Sequence, residues 1–194
     1  MAGARTAWIT GASSGIGAAV AEELARRGWR VAITARSADA LEGVAARHEG
    51  ISALPGDITD REGIAAIAGR AVALLGHIDV ALLNAGTYRP VLPETFSADL
   101  FRPHVEVNIM GTVNCIEAVL PGMLRRRAGR IAVVASVTGF AALPMAAAYG
   151  ATKAFLISMS DSLRADRRWS ALTSIGGTGA RTEAATVCAP SWSR

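Results

Sequence analysis

The chain has 194 residues, a formal net charge of +4 at pH 7 and a hydrophobic fraction of 51%. That length fits one domain with its own core, and this apolar content excludes a chain that is disordered by composition. No apolar run approaches the roughly 18 residues of a membrane-spanning helix, and we find no secretion signal or cysteine framework. We therefore expect a cytoplasmic protein that has no membrane partner.

The first half of the chain alternates between apolar runs and helical patterns. Residues 6–11 predict a buried strand that ends in glycine, and residues 15–28 predict a helix. The residues that recur at helical spacing there are Ile16, Val20, Leu24 and Ala25, with Gly28 as the stop. The elements predicted next are a strand at 30–35, a helix at 38–48, a strand at 51–54, a helix at 60–75 and a strand at 79–83.

The second half continues the alternation. It predicts one or two helices between 95 and 127, a fifth strand at 130–135, a helix at 147–167 and a short sixth strand at 172–175. The strands are continuous apolar runs, which indicates burial on both faces, as in a parallel sheet covered by helices. We therefore predict a doubly wound α/β sandwich of three layers over residues 1–168, with 169–194 as an atypical tail of the same domain.

The only lysine of the chain, Lys153, follows Tyr149 by four residues, and the other 19 basic residues are arginines. On a helix, side chains four apart lie on one face, so the phenol and the ammonium point into the same space. A free tyrosine has a pKa of about 10, and a nearby cation lowers it toward the range that acid/base catalysis needs. The pair is a candidate catalytic acid/base, although such pairs also occur on exposed helices.

The segment between the first strand and the first helix, residues 10–17, reads TGASSGIG. Its three glycines permit a tight turn and the close approach of a ligand to the backbone. The helix that follows offers unpaired N–H groups and a positive dipole end to a pyrophosphate. Dinucleotide binding is favoured over the alternative, an ordinary glycine turn.

Together these motifs resemble the short-chain dehydrogenase/reductase family. The resemblance covers residues 5 to about 167 and rests on six features in the expected order, which are TGASSGIG at 10–17, Asp57, NAG at 84–86, Asn108, Ser136 and YGATK at 149–153. It implies a Rossmann-like fold. It also implies an oxidoreductase that transfers a hydride between NADP(H) or NAD(H) and a secondary alcohol or carbonyl compound.

The resemblance implies a role for each of four catalytic residues. Tyr149 is the acid/base that exchanges a proton with the substrate oxygen, and Lys153 lowers its pKa and holds the ribose hydroxyls of the cofactor. Ser136, thirteen positions before Tyr149, hydrogen-bonds the substrate oxygen. Asn108 helps to hold a water molecule that links Lys153 to solvent. Ser136 alone could equally be a serine that satisfies the backbone at a strand end.

The resemblance also implies a set of cofactor-binding residues besides Tyr149 and Lys153. These are Gly11, Ser13, Ser14, Gly15, Ile16 and Gly17 in the glycine loop, Asp57 and Ile58 at the adenine, Asn84, Ala85 and Gly86 after the fourth strand, and Thr182 at the carboxamide. Asp57 could alternatively be a helix-capping residue together with Thr59.

The end of the second strand predicts which dinucleotide is preferred. Family members that bind NAD place an acidic residue there, but residues 34–37 read TARS. Arg36 can pair with the 2′-phosphate of NADP. We therefore predict NADP(H) over NAD(H), the alternative being a solvated arginine.

The tail departs from the family pattern. Gly176-Gly177 stands where the family has a Pro-Gly turn, and residues 184–194 match no expected element. We expect a shortened member of the family that lacks the last strand. This leaves an alternative function, a dinucleotide-binding protein with little or no turnover, because the segment that closes over the substrate is missing.

The sequence also suggests which partners the protein has. The uncharged loop 138–145 indicates a small alcohol or carbonyl substrate with an apolar body. The small apolar residues of the helices at about 107–127 and 147–167 resemble the family's dimer contact, which implies a homodimer or homotetramer.

Nucleic-acid binding is the remaining alternative, but the arginine cluster Arg125–Arg127 falls late in a helix and no aromatic residue is interleaved with it. We expect neither a nucleic-acid partner nor a metal.

Overall fold

A computed structural model describes residues 4–165 and 172–175. Its centre is a six-stranded sheet in the order β3-β2-β1-β4-β5-β6, in which all neighbours pair in parallel. The strands are β1 (Thr6–Thr10), β2 (Arg30–Thr34), β3 (Ile51–Ala53), β4 (Val80–Leu83), β5 (Arg130–Val134) and β6 (Leu172–Ile175). The predicted doubly wound α/β class is confirmed, and so is the sixth strand at 172–175.

Helices connect the strands. They are α1 (Gly15–Arg26), α2 (Ala38–Ala45), α3 (Arg61–Leu75), α4 (Ala98–His104), α5 (Gly111–Arg126) and α6 (Ala147–Ala165). A π-helical turn, Val105–Met110, joins α4 to α5, and short 3-10 helices cover Pro93–Thr95 and Val137–Gly139. The prediction of one or two helices between 95 and 127 therefore corresponds to two α-helices fused through a π turn.

The core lies on both faces of the sheet. On one face, side chains of α3, α5 and α6 pack against strand residues such as Trp8 and Ile131, and on the other, α1 and α2 cover Ile9 and Ile33. The Trp8 indole is fully buried and its Nε1 donates to Thr34 Oγ1 at 2.9 Å. This bond satisfies a polar group that burial would otherwise leave without a partner.

Small residues form most of the buried face of α1. Ile16 is 64% exposed, whereas Gly17, Ala18, Ala21 and Ala25 are buried. Small residues allow the helix backbone to approach the sheet closely, and the larger apolar side chains flank the contact. Of the residues that recur at helical spacing, Ala25 is buried, Val20 and Leu24 pack partly buried against the core, and Ile16 is exposed.

Burial on both faces was predicted for every strand, and β5 departs from it. Ile131 and Val133 are fully buried against α3, α5 and α6, but Ala132 and Val134 are only half-buried. Among the described residues, the second face is packed by α1 and α2, which lie over the β1 to β3 half of the sheet. The domain boundary predicted at residue 168 stays a prediction.

Within the described residues, the stretch Ala98–Arg126 is long and apolar enough to cross a membrane by length and composition, with a mean hydropathy of 1.3. The core helices of soluble proteins pass the same test. In the apolar 18-residue window of this stretch, 44% is buried inside the protein. The stretch carries the buried amides of Asn108 and Asn114, which hydrogen-bond to neighbouring segments. We interpret it as a core helix, and the absence of a membrane partner stays a prediction.

Candidate active site

The predicted site residues gather where the strands of a parallel sheet end. The chain winds from β1 toward β3 on one side and from β4 toward β6 on the other, so the direction reverses between β1 and β4. In open α/β sheets, ligands bind in the crevice at this reversal, beyond the carboxyl ends of the strands. Gly11 follows β1, Asn84 follows β4 and Ser136 lies just beyond β5.

Gly11 and Gly17 permit an unusually close approach of three backbone segments. Gly11 has a φ of 67°, and a Cβ there would lie 2.6 Å from the Cα of Ala85. A Cβ on Gly17 would lie 2.5 Å from the Gly11 carbonyl oxygen. Neither position has room for a side chain, so both glycines are required for the packing of this loop.

Gly15 has a different role, since it borders open space at the N-terminus of α1. Its φ is 58°, and a Cβ there would meet no atom within 4 Å. Ser14 occupies the N-cap position without a side-chain capping bond, and the first turn carries no acidic residue. Ser13 is half-buried, whereas Ser14 and Ile16 are exposed. The first turn therefore offers its N–H groups to an anion, and a dinucleotide pyrophosphate fits this cradle.

Asn84, Ala85 and Gly86 connect this loop to the catalytic side chains. Asn84 Nδ2 donates to the Gly11 carbonyl at 3.0 Å, and the Ala85 amide donates to Thr10 Oγ1 at 3.3 Å. A Cβ on Gly86 would lie 3.3 Å from Asn108 Oδ1 and 3.7 Å from Lys153 Nζ. Gly86 therefore lies directly against the side chains of Asn108 and Lys153.

Asp57 and Ile58 form the turn after β3. Asp57 Oδ1 accepts hydrogen bonds from the Thr59 amide and hydroxyl, both at 2.9 Å, whereas the N-cap of α3 is Asp60. The alternative of Asp57 as a helix cap was therefore wrong. Asn114 Nδ2 donates to the Ile58 carbonyl at 3.0 Å and so fastens this turn to α5.

Arg36 lies just past the end of β2 and is exposed. In the part of the chain that the structure describes, its guanidinium has no hydrogen bond or ion pair. No carboxylate occupies residues 34–37, and the Ser37 hydroxyl caps α2 by accepting from the Ala40 amide. The guanidinium is thus available to a phosphate near this strand end.

Asn108 is fully buried in the π turn and ties three segments together. Its Oδ1 accepts from the Thr87 amide at 2.7 Å, and its Nδ2 donates to the Thr87 carbonyl and to Thr152 Oγ1, both at 3.0 Å. The Thr152 hydroxyl donates in turn to the Tyr149 carbonyl at 2.7 Å. Asn108 therefore fixes the loop after β4 against the helix that carries Tyr149 and Lys153.

Lys153 is buried, with 4% of its surface exposed. Its Nζ donates to the Val134 carbonyl at 2.7 Å and lies 5.5 Å from the centre of the Tyr149 ring. Burial lowers the pKa of the Lys153 ammonium from 10.5 to about 8, because desolvation disfavours the charged form. The structure brings Tyr149 and Lys153 together, as their spacing predicts.

Tyr88, which contacts Tyr149, and His104, which holds the loop that carries Tyr88, were not singled out by the sequence analysis. The Tyr88 ring meets the Tyr149 ring edge to face, with the centroids 5.3 Å apart. His104 is fully buried, and its Nε2 accepts from the Arg89 amide at 2.9 Å, which holds the Tyr88 loop onto α4. Nothing in the local sequence reveals either contact, because both join segments that are distant in the chain.

Ser136 is half-buried and caps the 3-10 helix Val137–Gly139. Its Oγ accepts from the Thr138 amide at 3.3 Å and from the Thr138 hydroxyl at 3.0 Å. The serine thus lies beyond the strand whose Val134 carbonyl holds Lys153. Ser136, Tyr149, Lys153 and Asn108 are all assembled at one end of the sheet.

An apolar concavity of about 300 Å³ adjoins this assembly. Its lining comes from the 3-10 helix and following loop (residues 138–143) and from the first turns of α6. Part of the predicted substrate loop, 138–145, therefore does line a cavity. Thr182, predicted at the carboxamide, lies outside the described residues.

This arrangement defines a class of protein, namely a dinucleotide-binding α/β domain that gathers Ser136, Tyr149 and Lys153 beyond the carboxyl end of β5. The family model of the short chain dehydrogenases matches residues 5–175. The chain belongs to that family, as the sequence motifs predicted.

Similar proteins support this assignment. Human "Dehydrogenase/reductase SDR family member 7" is 34% identical over an alignment of 167 residues, and the match covers 82% of this chain and 49% of the human protein. A Sphingomonas 2-dehydro-3-deoxy-L-rhamnonate dehydrogenase (NAD(+)) is also 34% identical, covering 82% of this chain and 64% of that enzyme. The chain thus spans about half the length of the human relative.

Solved structures agree on the fold. A crystal structure of an actinorhodin polyketide ketoreductase with NADPH superposes with a TM-score of 0.83 at 28% identity, covering 89% of this chain and 69% of that one. The relatives therefore include a protein solved with NADPH and one named for NAD(+), which leaves the preferred dinucleotide open.

Proposed function

We propose that this chain is an NADP(H)-dependent oxidoreductase that interconverts a secondary alcohol and a carbonyl compound, with Tyr149 as the acid/base. The observation that carries the proposal is the buried Lys153 ammonium, held by the Val134 carbonyl 5.5 Å from the Tyr149 ring. A buried lysine with a lowered pKa beside a tyrosine is costly for stability, and such groups cluster at functional sites. The short chain dehydrogenase family supports the same class of reaction.

The residues present fit a nicotinamide dinucleotide. The α1 N-terminus and Gly15 would hold the pyrophosphate, Asp57 and Ile58 the adenine, and Lys153 the ribose beside the nicotinamide. When bound, the dinucleotide supplies the hydride that reaches the carbonyl carbon. The chain's own residues then have to orient the substrate, exclude water and move one proton.

The orientation of the substrate oxygen and the proton transfer fall to residues of the assembled site. During reduction, the Tyr149 hydroxyl donates its proton to the substrate oxygen as that oxygen becomes an alkoxide. The Ser136 hydroxyl donates a hydrogen bond to the same oxygen and stabilises its developing charge. The Lys153 ammonium stabilises the phenolate that remains, and Asn108 keeps the lysine's surroundings in place.

The second tyrosine offers a matched control for Tyr149. With NADPH and an activated apolar ketone such as phenanthrenequinone, we expect Tyr149→Phe to lower kcat at least about a hundredfold, because it removes the proton donor. NADPH binding, followed by its fluorescence, should persist. Tyr88→Phe keeps the ring contact and should stay within a fewfold of the wild type. If Tyr149→Phe retained a tenth of the wild-type rate or more, the proposed role would be wrong.

Arg36 supports the choice of NADP(H), because its exposed guanidinium is available at the end of β2, where residues 34–37 carry no carboxylate. We expect Arg36→Ala to weaken NADPH binding by about tenfold or more, which is the loss of one charge-assisted contact, and to leave NADH binding unchanged. The matched control is Arg70→Ala, an exposed arginine on α3. Equal affinity of the wild type for NADH and NADPH would contradict this assignment.

A further inference from the structure

Among the residues that the structure describes, the Ser136 side chain forms hydrogen bonds with Thr138 alone. Thr138 contributes two donors to the same oxygen, its backbone amide at 3.3 Å and its hydroxyl at 3.0 Å from Ser136 Oγ. The amide contact is the usual capping bond of a 3-10 or α-helix. The hydroxyl contact is an addition that capping does not require.

The two donors limit what the Ser136 hydroxyl can do. A serine hydroxyl has one hydrogen to donate and two lone pairs that accept. When the amide and the Thr138 hydroxyl both donate to Ser136 Oγ, its lone pairs are occupied and its hydrogen is left for another acceptor. The hydrogen bond from the Thr138 hydroxyl also polarises the O–H bond of Ser136, which makes Ser136 a stronger donor.

The turn that carries Thr138 is packed closely onto the helix of the catalytic tyrosine. A Cβ on Gly139 would lie 2.9 Å from the Ala154 amide nitrogen, and a Cβ on Gly150 would lie 3.0 Å from the Thr138 carbonyl oxygen. Both glycines let the turn and α6 meet backbone to backbone. Thr138 also lines the apolar concavity.

We propose that Thr138 is a positioning residue for the reaction, a role that rests on the proposed oxidoreductase function. Thr138 Oγ1 donates to Ser136 Oγ and thereby leaves the Ser136 hydrogen for the substrate oxygen. Without that donor, the Ser136 hydroxyl can rotate and direct its hydrogen toward other acceptors. The hydrogen is then directed at the substrate oxygen in a smaller fraction of protein molecules.

The test compares Thr138→Val, Thr138→Ser, Ser136→Ala and the double variant in the full 194-residue chain. Turnover is measured with NADPH and three apolar carbonyl probes, acetophenone, benzil and phenanthrenequinone. NADPH deuterated at the transferred position shows whether kcat reports hydride transfer. We expect Thr138→Val to lower kcat about tenfold, the effect of one hydrogen bond, with little change in NADPH affinity. Thr138→Ser, which keeps the donor, should restore most of the rate.

The double variant separates positioning from a general structural effect. If Thr138 acts through Ser136, then Thr138→Val causes no further loss once Ser136 is alanine. Independent, multiplicative losses would overturn the proposal, and so would a Thr138→Ser variant as slow as Thr138→Val. A wild type that reduces none of the probes, although it binds NADPH, would overturn the proposed function and this inference with it. Activity that Tyr149→Phe abolishes but Thr138→Val leaves intact would overturn the inference alone.

Discussion

Single buried polar residues determine the geometry of this site. Asn108 uses its amide in three hydrogen bonds to Thr87 and Thr152, and His104 uses its ring to hold the Arg89 amide. Buried polar groups of this kind are strongly destabilising unless they are paired, so each fixes the conformation of the segment it contacts. The loop after β4 is consequently held in one position relative to α6.

Lys153 makes a direct measurement possible, because it is the only lysine in the chain. Burial lowers the pKa of its ammonium to about 8. We therefore expect one lysine side-chain signal in an NMR titration of protein labelled at lysine Cε, with a midpoint near 8 in the folded protein. A midpoint near the ordinary 10.5 would show that the ammonium is hydrated and would contradict the burial described above.

The same shift predicts how stability depends on pH. The folded pKa of about 8 lies below the ordinary 10.5, so between these values the unfolded chain binds more protons than the folded one. In this window the Lys153 contribution to the free energy of unfolding rises with pH, and it is lost as pH falls through about 8. We expect the stability of the wild type relative to Lys153→Met, measured by urea denaturation, to increase between pH 8 and 10.5. A constant difference would contradict the linkage.

At the scale of elements, the glycine loop and α1 form one unit with β4. Gly11 and Gly17 meet the Ala85 and Gly11 backbones at distances that exclude a side chain. The small residues on the buried face of α1 have the same effect, because they bring the helix close to the sheet. This close packing places the N-terminus of α1 beside the end of β4.

Three glycine-to-alanine variants test this packing. Gly11→Ala should lower the free energy of unfolding by about 2 kcal/mol or more, because it combines a positive φ with a backbone clash. Gly15→Ala meets open space and should cost about 1 kcal/mol, from φ alone. Gly43→Ala, in α2 with open space around it, should be stabilising by about 0.5–1 kcal/mol. Denaturant midpoints check the order, and a Gly11→Ala variant as stable as Gly43→Ala would contradict it.

At the scale of the whole molecule, the parallel sheet brings residues from five connections to one edge. The reversal of strand order between β1 and β4 opens the crevice in which the glycine loop, Asn84 and Gly86 meet. β6 pairs with β5 along Leu172–Ile175 and so adds one more strand beside the strand that Ser136 follows. The homodimer or homotetramer and the cytoplasmic location stay predictions.

The proposed dinucleotide site draws on residues from both halves of the sheet, so binding should stabilise the fold. A ligand present at a hundredfold excess over its Kd adds about 2.7 kcal/mol to the free energy of unfolding. We expect NADPH to raise the Tm by several degrees, NADH at equal concentration to raise it less, and nicotinamide mononucleotide to have little effect. The absence of any shift with either dinucleotide would contradict the proposed cofactor site.

The order of strands and helices, the glycine loop and the pairing of Tyr149 with Lys153 could be predicted from the sequence. They rest on local periodicity and spacing, which the chain expresses within a few residues of each position. Contacts between distant segments could not be predicted. The Thr138 hydroxyl on Ser136, the Tyr88 ring against Tyr149 and the exposure of Ile16 depend on how close the backbones come after packing. Only the tertiary structure determines that distance, because it depends on the volume and hydrogen bonding of residues that lie far apart in the chain.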